Sequence, residues 1–330
     1  MLKKDLVMQV IGLKTYFYTM EGIVPAVDGI DFELHKGETL AIAGESGCGK
    51  SVTALSILGL IPYPPGKILD GKIFFNNQNL LKLDEKNMRK IRGNEISMIF
   101  QEPMTSLNPV FSVGSQIMDS MMIHLKIKKK EARERTIEMI RLVEIPEPEK
   151  CIDRYPHQLS GGMRQRIMIA MALACNPKIL LADEPTTALD VTIQAQILKL
   201  MNDLKKKIGT SIILITHDMG VVAQMAQKVM VMYAGKMAEY SDVDTIFENP
   251  LHPYTEGLLA SIPSITSRKK RLFNIIGSIP APTKYPKGCR FSSRCKDVMD
   301  ICRNKIPGIT NYPNGRKVSC WKYGEVNSSE

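Results

Sequence analysis

The sequence predicts an α/β fold built on a parallel sheet, with a small extension at its C-terminal end. Three observations carry this prediction. Short apolar runs, Lys178-Ile-Leu-Leu-Ala182 and Ser211-Ile-Ile-Leu-Ile215, read as strands buried on both faces, and a long helical stretch (192–207) separates them. A glycine-rich segment, 44–51, lies between an apolar run and a helical pattern. The last 90 residues hold 8 of the 19 prolines and few long periodic segments, which places a boundary near Tyr240.

The elements follow in order. Residues 1–43 read as strands: Val27, Ile30, Phe32 and Leu34 mostly alternate, and Thr39-Leu-Ala-Ile-Ala43 is a buried strand running into the glycines. Residues 52–60 carry apolar side chains at helical spacing and stop before Pro62-Tyr-Pro-Pro65, which cannot continue a helix. Ile96-Ser-Met-Ile-Phe100 is a second core strand, 113–144 is helical with a charged stretch at 128–135, and 167–174 is an apolar helix. No internal repeat is visible, so the chain holds one such α/β unit and not a tandem pair.

At 330 residues the chain exceeds a single hydrophobic core, and its 44% hydrophobic and 24% charged residues are ordinary for a globular protein. Its apolar runs fall far short of the roughly 20 residues a membrane helix needs, and no apolar segment follows the basic start as in a secretory signal. A cytoplasmic protein that meets a membrane only through partners is therefore expected. Of the net charge of +10, +6 falls in 241–330, where 14 Lys or Arg face 8 Asp or Glu. No run of five like charges occurs, so this reads as solvated surface rather than a nucleic-acid footprint.

Gly44-Glu-Ser-Gly-Cys-Gly-Lys-Ser51 matches the phosphate-loop pattern G-x-x-x-x-G-K-[ST] in the strand–loop–helix setting that pattern requires. Its glycines let successive backbone N–H groups wrap a phosphate; Lys50 is placed to neutralise the β- and γ-phosphates of ATP, and the Ser51 hydroxyl to ligate Mg²⁺. The strand at 179–183 ends in Asp183 and Glu184, the first suited to Mg²⁺ and the second to polarising an attacking water. Leu159-Ser-Gly-Gly-Met163 precedes an apolar helix and offers a second phosphate-binding element, or a plain N-cap through Ser160.

The order of glycine loop, Gln101, Leu159-Ser160-Gly161-Gly162, Asp183-Glu184, Ala188-Leu-Asp190 and Thr216-His217-Asp218 resembles the nucleotide-binding subunits of ABC transporters. The resemblance covers roughly 5–240. It implies a RecA-like P-loop core with an antiparallel β subdomain and an α-helical subdomain (about 106–168), the whole occupying 1–240. It also implies a head-to-tail pair in which Leu159, Ser160, Gly161, Gly162 and Met163 touch the partner's ATP. Gln101 would reach Mg²⁺ and the attacking water, His217 the γ-phosphate, and Asp190 would link the two sites. Catalysis would then fall to Glu184, His217 and Gln101. The ATP contacts would be Gly44, Glu45, Ser46, Gly47, Cys48, Gly49, Lys50, Ser51 and Val52, with Phe17 stacking on adenine and Tyr16 and Tyr18 competing for that place. Two departures stand out: Met163 replaces the usual Gln, and Val52 the usual Thr.

Further stretches resemble the dipeptide, oligopeptide and nickel importer branch: Gln101-Glu-Pro-Met-Thr-Ser-Leu-Asn-Pro109, Tyr155-Pro-His-Gln-Leu-Ser160, Asn249-Pro-Leu-His-Pro-Tyr-Thr255, Gly277-Ser-Ile-Pro-Ala-Pro282 and Gly288-Cys-Arg-Phe291. That branch implies an ATPase at the cytoplasmic face of the membrane. Its partners would be a second homologous ATP-binding subunit (or a second copy of this chain), two membrane permease subunits and, indirectly, an extracytoplasmic solute-binding protein. No nucleic-acid partner is expected. The rival reading is a soluble ABC-type ATPase acting on ribosomes or DNA.

Cys289, Cys295, Cys302 and Cys320, in the extension at 241–330, are spaced C-x5-C-x6-C-x17-C and lack the close pairs of structural zinc sites. Members of the branch bind a 4Fe-4S cluster through four such cysteines, and that is the reading favoured here. Zinc, reduced thiols and disulfides stay open. Arg290, Arg294, Lys296 and Arg303 would suit the charge of a thiolate cluster.

Overall fold

The computed structural model describes residues 6–101, 106–187, 189–262 and 274–324. They divide into two compact units, one of Met1–Val7, Leu34–Glu38 and Lys82–Leu214, the other of Met8–Glu33, Thr39–Leu81 and Ile215–Glu330.

The second unit carries the glycine loop. Its first sheet has the order β2-β1-β4-β5, with β1 Leu6–Thr19, β2 Gly22–His35, β4 Gly66–Phe75 and β5 Gln78–Asn79; β4 runs antiparallel to both β1 and β5. The second sheet runs β11-β12-β10-β9-β3, with β3 Thr39–Ala43, β9 Lys228–Tyr233, β10 Lys236–Asp242, β11 Thr310–Asn311 and β12 Lys317–Val318. β3 and β9 are parallel, and every residue of β3 is buried, as its unbroken apolar run requires. Tyr240 lies inside β10, whose other edge pairs antiparallel with β12 of the tail.

The tail shares a core with these strands. Ala41, Ala43, Val229, Val231 and Tyr233 pack with Ile246, Tyr254, Ile275 and Phe291. Phe291 is 3% exposed, and burying such a ring is worth about 2 to 3 kcal/mol. Beside this core Glu239 has no exposed surface. It is paired with Arg316 and accepts the N–H groups of Leu251 and His252. A buried carboxylate is tolerated only with such partners.

In the first unit the strand order is β8-β7-β6, with β6 Ile96–Ile99, β7 Ile179–Asp183 and β8 Ser211–Thr216; β6 and β7 are parallel. The helical pattern at 113–144 is two helices, Val113–Leu125 and Lys129–Leu142, because Lys126 turns left-handed (φ 54°) and ends the first. Gly114 allows close packing: a Cβ there would stand 2.1 Å from an Ile152 side-chain carbon. Helix Val191–Ile208 starts on the Asp190 cap and ends at Gly209 (φ 78°), with Lys205, Lys206 and Lys207 opposing the negative end of its dipole. No helix among the described residues is long and apolar enough to cross a membrane.

His252 links packing to pH. It is 4% exposed, and its Nδ1 accepts the Tyr254 N–H at 3.0 Å, capping helix Pro253–Ala260. Burial, with the Lys322 charge second, lowers its pKa from 6.5 to about 4. The folded state thus resists a proton that the unfolded chain takes up below about 6.5. This stability is complete above that pH and declines toward pH 4, by about 3 kcal/mol in all. Urea unfolding at pH 7 and pH 4.5 should show the loss, and His252→Gln should remove most of that difference. An identical pH response in the variant would contradict the assignment.

Candidate functional site

In the second unit, β3 delivers the chain into a loop whose two ends, Gly44 and Gly49, leave no room for a side chain. Gly44, Gly47 and Gly49 have φ of 152°, 81° and 106°. A Cβ on Gly44 would stand 2.3 Å from the Met232 carbonyl oxygen, and one on Gly49 2.1 Å from that of Ala26. The strands β9 and β2 therefore press directly on the loop's two ends. Helix Lys50–Ile57 begins at Gly49, and the Thr53 hydroxyl donates back to the Gly49 carbonyl at 3.0 Å. Lys50 is 5% exposed, and its Nζ donates to the carbonyls of Gly44 at 2.8 Å and Glu45 at 3.1 Å, which seats the ammonium inside the loop. Cys48 is buried, and burial pushes its thiol up to about 11, so it is a packing residue and not a nucleophile.

Strand β1 is tied to this helix by a hydrogen bond between the Thr15 and Ser56 hydroxyls at 2.8 Å. Two residues on, Phe17 is half-buried, and its Cε1 stands 2.8 Å from where a Cβ on Gly66 would be. Of its competitors, Tyr16 donates to Asp28 at 2.9 Å, and burial followed by that bond raises its pKa to about 12; Tyr18 is 49% exposed. His217 is exposed, ahead of helix Met219–Met225, which Asp218 caps through the N–H groups of Gly220 and Val221.

In the first unit, β7 ends in Asp183 and Glu184, which are 4% and 8% exposed. Glu184 is left-handed (φ 45°), a conformation that costs a non-glycine residue energy and accompanies functional positions. Its Oε2 accepts from Gln101 Nε2 at 3.1 Å and from the Thr187 hydroxyl at 3.0 Å. Gln101 and Glu184, 83 positions apart in sequence, are thus brought together. No sequence signal singles out Thr187, whose hydroxyl reaches the carboxylate only once the chain turns after β7.

Ser160 caps helix Gly161–Leu173, accepting the Met163 N–H at 3.3 Å. Ser160 and Gly161 are exposed, a Cβ on Gly161 would meet nothing within 4 Å, and Leu159 is buried beneath them. The N-cap reading of Ser160 therefore holds, and it leaves an open helix start. Asp190 accepts the Ile193 N–H at 2.9 Å as cap of its own helix. Ala188 and Glu102, Pro103, Met104 and Thr105 of the stretch after Gln101 lie outside the described residues.

All seven cysteines are free thiols, which removes the disulfide alternative. Among the described residues no group of three or more His, Cys, Asp or Glu side chains could hold a metal ion. Zinc, which needs its ligands around one ion, is not met, and the geometry lends the 4Fe-4S expectation no support. Three of the tail's four basic residues named above have other partners. Arg290 pairs with Asp28, Arg294 with Glu45 and Lys296 with Glu256, so these charges answer carboxylates rather than thiolates.

Comparison with known proteins agrees with this arrangement. Residues 27–187 match the family described as ABC transporter, and 238–302 that described as oligopeptide/dipeptide transporter, C-terminal region. The oligopeptide transport ATP-binding protein AppD of Bacillus subtilis (strain 168) is 54% identical over 98% of this chain and 98% of its own length. The chain belongs to the ABC transporter ATP-binding family, in its oligopeptide/dipeptide branch. The dipeptide transport ATP-binding protein DppD of the same organism is 53% identical over 96% of this chain and 94% of its own. Among solved structures, the dimeric ATP-binding cassette MJ0796, in a post-hydrolysis state bound to ADP and Pi, shares 28% identity at a TM-score of 0.64. It covers 72% of this chain and 98% of itself. None of these relatives favours the ribosome- or DNA-acting alternative.

For an ABC cassette with this loop, Gly49→Ala should be severe, since φ 106° and a carbonyl at 2.1 Å both oppose a methyl group. We expect a loss of about 2 kcal/mol or more and of MgATP binding. At Gly47, with φ 81° and nothing within 4 Å, alanine should cost only about 1 kcal/mol. Thermal melts and equilibrium binding of both variants check the contrast.

Proposed function

We propose that this chain is the ATP-hydrolysing subunit of an ABC importer for di- or oligopeptides, working at the cytoplasmic face of the membrane. The observation that carries the proposal is Glu184: a buried carboxylate at a strand end, in a strained backbone conformation, oriented by Gln101 and Thr187. A general base needs such fixed orientation more than exposure. In this reading the glycine-loop N–H groups and Lys50 hold the β- and γ-phosphates, Phe17 meets the adenine, and His217 meets the γ-phosphate. Ser51, Gln101 and Asp183 present oxygen donors of the kind Mg²⁺ prefers, and the ion would offset charge on the β- and γ-phosphates.

The open start of helix Gly161–Leu173 supports service to a second subunit's nucleotide, because an exposed helix N-terminus with glycine beside it suits a phosphate. Asp190, at the head of the next long helix, would couple the two sites. The dimeric state of MJ0796 supports pairing of two cassettes. A homologous second ATPase or a second copy of this chain would supply the other half, with two permease subunits above and an extracytoplasmic binding protein delivering the solute. The peptide cargo rests on relatives named for oligopeptide and dipeptide transport.

The 4Fe-4S cluster is kept as a proposal of its own. The support is the spacing of the four cysteines; burial raises the Cys289 thiol to about 11, so ligation would have to displace a tightly held proton. A four-iron cube also separates its cysteines more widely than a single ion does. Anaerobically purified protein should be brown and lose its visible absorption on Cys302→Ser; colourless, iron-free protein would end this proposal.

For the ATPase itself, Glu184→Gln in the assembled transporter should bind MgATP as the wild type does and hydrolyse it about 10²- to 10⁴-fold more slowly. Retained turnover would remove Glu184 from the role of base.

A further inference from the structure

Glu45, the first variable residue of the glycine loop, is gripped on three sides. Its carboxylate forms a two-pronged ion pair with Arg294 (2.7 and 3.0 Å), its N–H donates to the Tyr254 phenol at 2.9 Å, and its carbonyl accepts from Lys50 at 3.1 Å. The first two partners belong to the tail and to none of the phosphate motifs. The Arg294 side chain is 5% exposed and also donates to the Ile276 and Ile275 carbonyls and the Tyr233 hydroxyl. Its guanidinium is therefore oriented from several directions, with the fork aimed at one carboxylate. Tyr254 is equally fixed, its ring 4.7 Å from Tyr233 and 5.3 Å from Phe291.

We propose that Arg294 is a positioning residue for ATP binding: by clamping Glu45 it sets the start of the nucleotide loop and neutralises a carboxylate beside the triphosphate. Two physical arguments support this. An acidic side chain adjoining a phosphate site repels the ligand unless a cation compensates it, and Arg294 is the cation in contact. The Glu45 backbone also carries the constraint onward, because its carbonyl is one of the two that seat the Lys50 ammonium. The path from Arg294 through Glu45 to Lys50 consists of direct contacts within one compact unit. A mere staple for the tail would not need to grip the loop at backbone and side chain together.

The inference rests on reading 44–51 as an ATP loop. Its test is MgATP binding to the purified full-length chain over a range of salt concentrations, with thermal melts alongside. Arg294→Ala should weaken binding about tenfold at low salt, with a smaller penalty as salt screens the bare carboxylate. The double variant Glu45→Gln/Arg294→Ala should recover most of that loss, because the repelling charge is gone, whereas a purely structural role predicts no recovery. Should Arg294→Ala fail to fold, Arg294→Lys and Tyr254→Phe carry the test, each staying folded with melting lowered by a few degrees and weakening binding about threefold. Wild-type affinity in the foldable single variants, or a double variant no better than Arg294→Ala, overturns the inference. A wild-type chain that binds no MgATP would instead sink the ATP-loop reading itself.

Discussion

The nucleotide loop has no room for a side chain at either end, and much of the second unit follows from that. Gly44 lies against the carbonyl of Met232 in β9, and Gly49 against that of Ala26 in β2. The loop's shape and the placement of both strands are therefore fixed together. β3 must also be buried throughout, since it brings the chain to the first of those contacts. Packing density, rather than hydrogen bonding alone, shapes the cradle, and backbone–backbone approach makes it intolerant of even one methylene.

Glu184 shows a different solution in the first unit. There a non-glycine residue accepts left-handed backbone, and the cost is offset by bonds from Gln101 and Thr187. The first site thus depends on excluded volume and the second on a small polar network.

The parts most legible in the sequence were those with a local signature. The runs at 39–43, 96–100, 178–182 and 211–215 became β3, β6, β7 and β8, and the caps at Ser160 and Asp190 follow from side chains that compete for helix N–H groups. β4, β9 and β10 carry no such signature. β4 interrupts its pattern with Asp70 and Gly71, and β10 carries Glu239 and Ser241 on faces that are buried. A polar residue in a strand signals solvent until its partner is known. Arg316, 77 positions away, is such a partner, and nothing near Glu239 announces it. Arg294 shows the same limit: in sequence it is a charge beside a cysteine, and only the fold turns it toward Glu45.

The pair Glu239–Arg316 also bears on how such chains can be inherited. The solved cassette MJ0796 matches 72% of this chain, so some of the chain has no counterpart in it. Here a carboxylate with no exposed surface sits in β10, and its cation, Arg316, lies just before β12. Losing either partner alone strands a buried charge, which costs about 3 to 5 kcal/mol. A recombination event that moved the cassette without its tail would inherit that defect at once. The two stretches are therefore coupled in stability, and neither can change its half of the pair without the other.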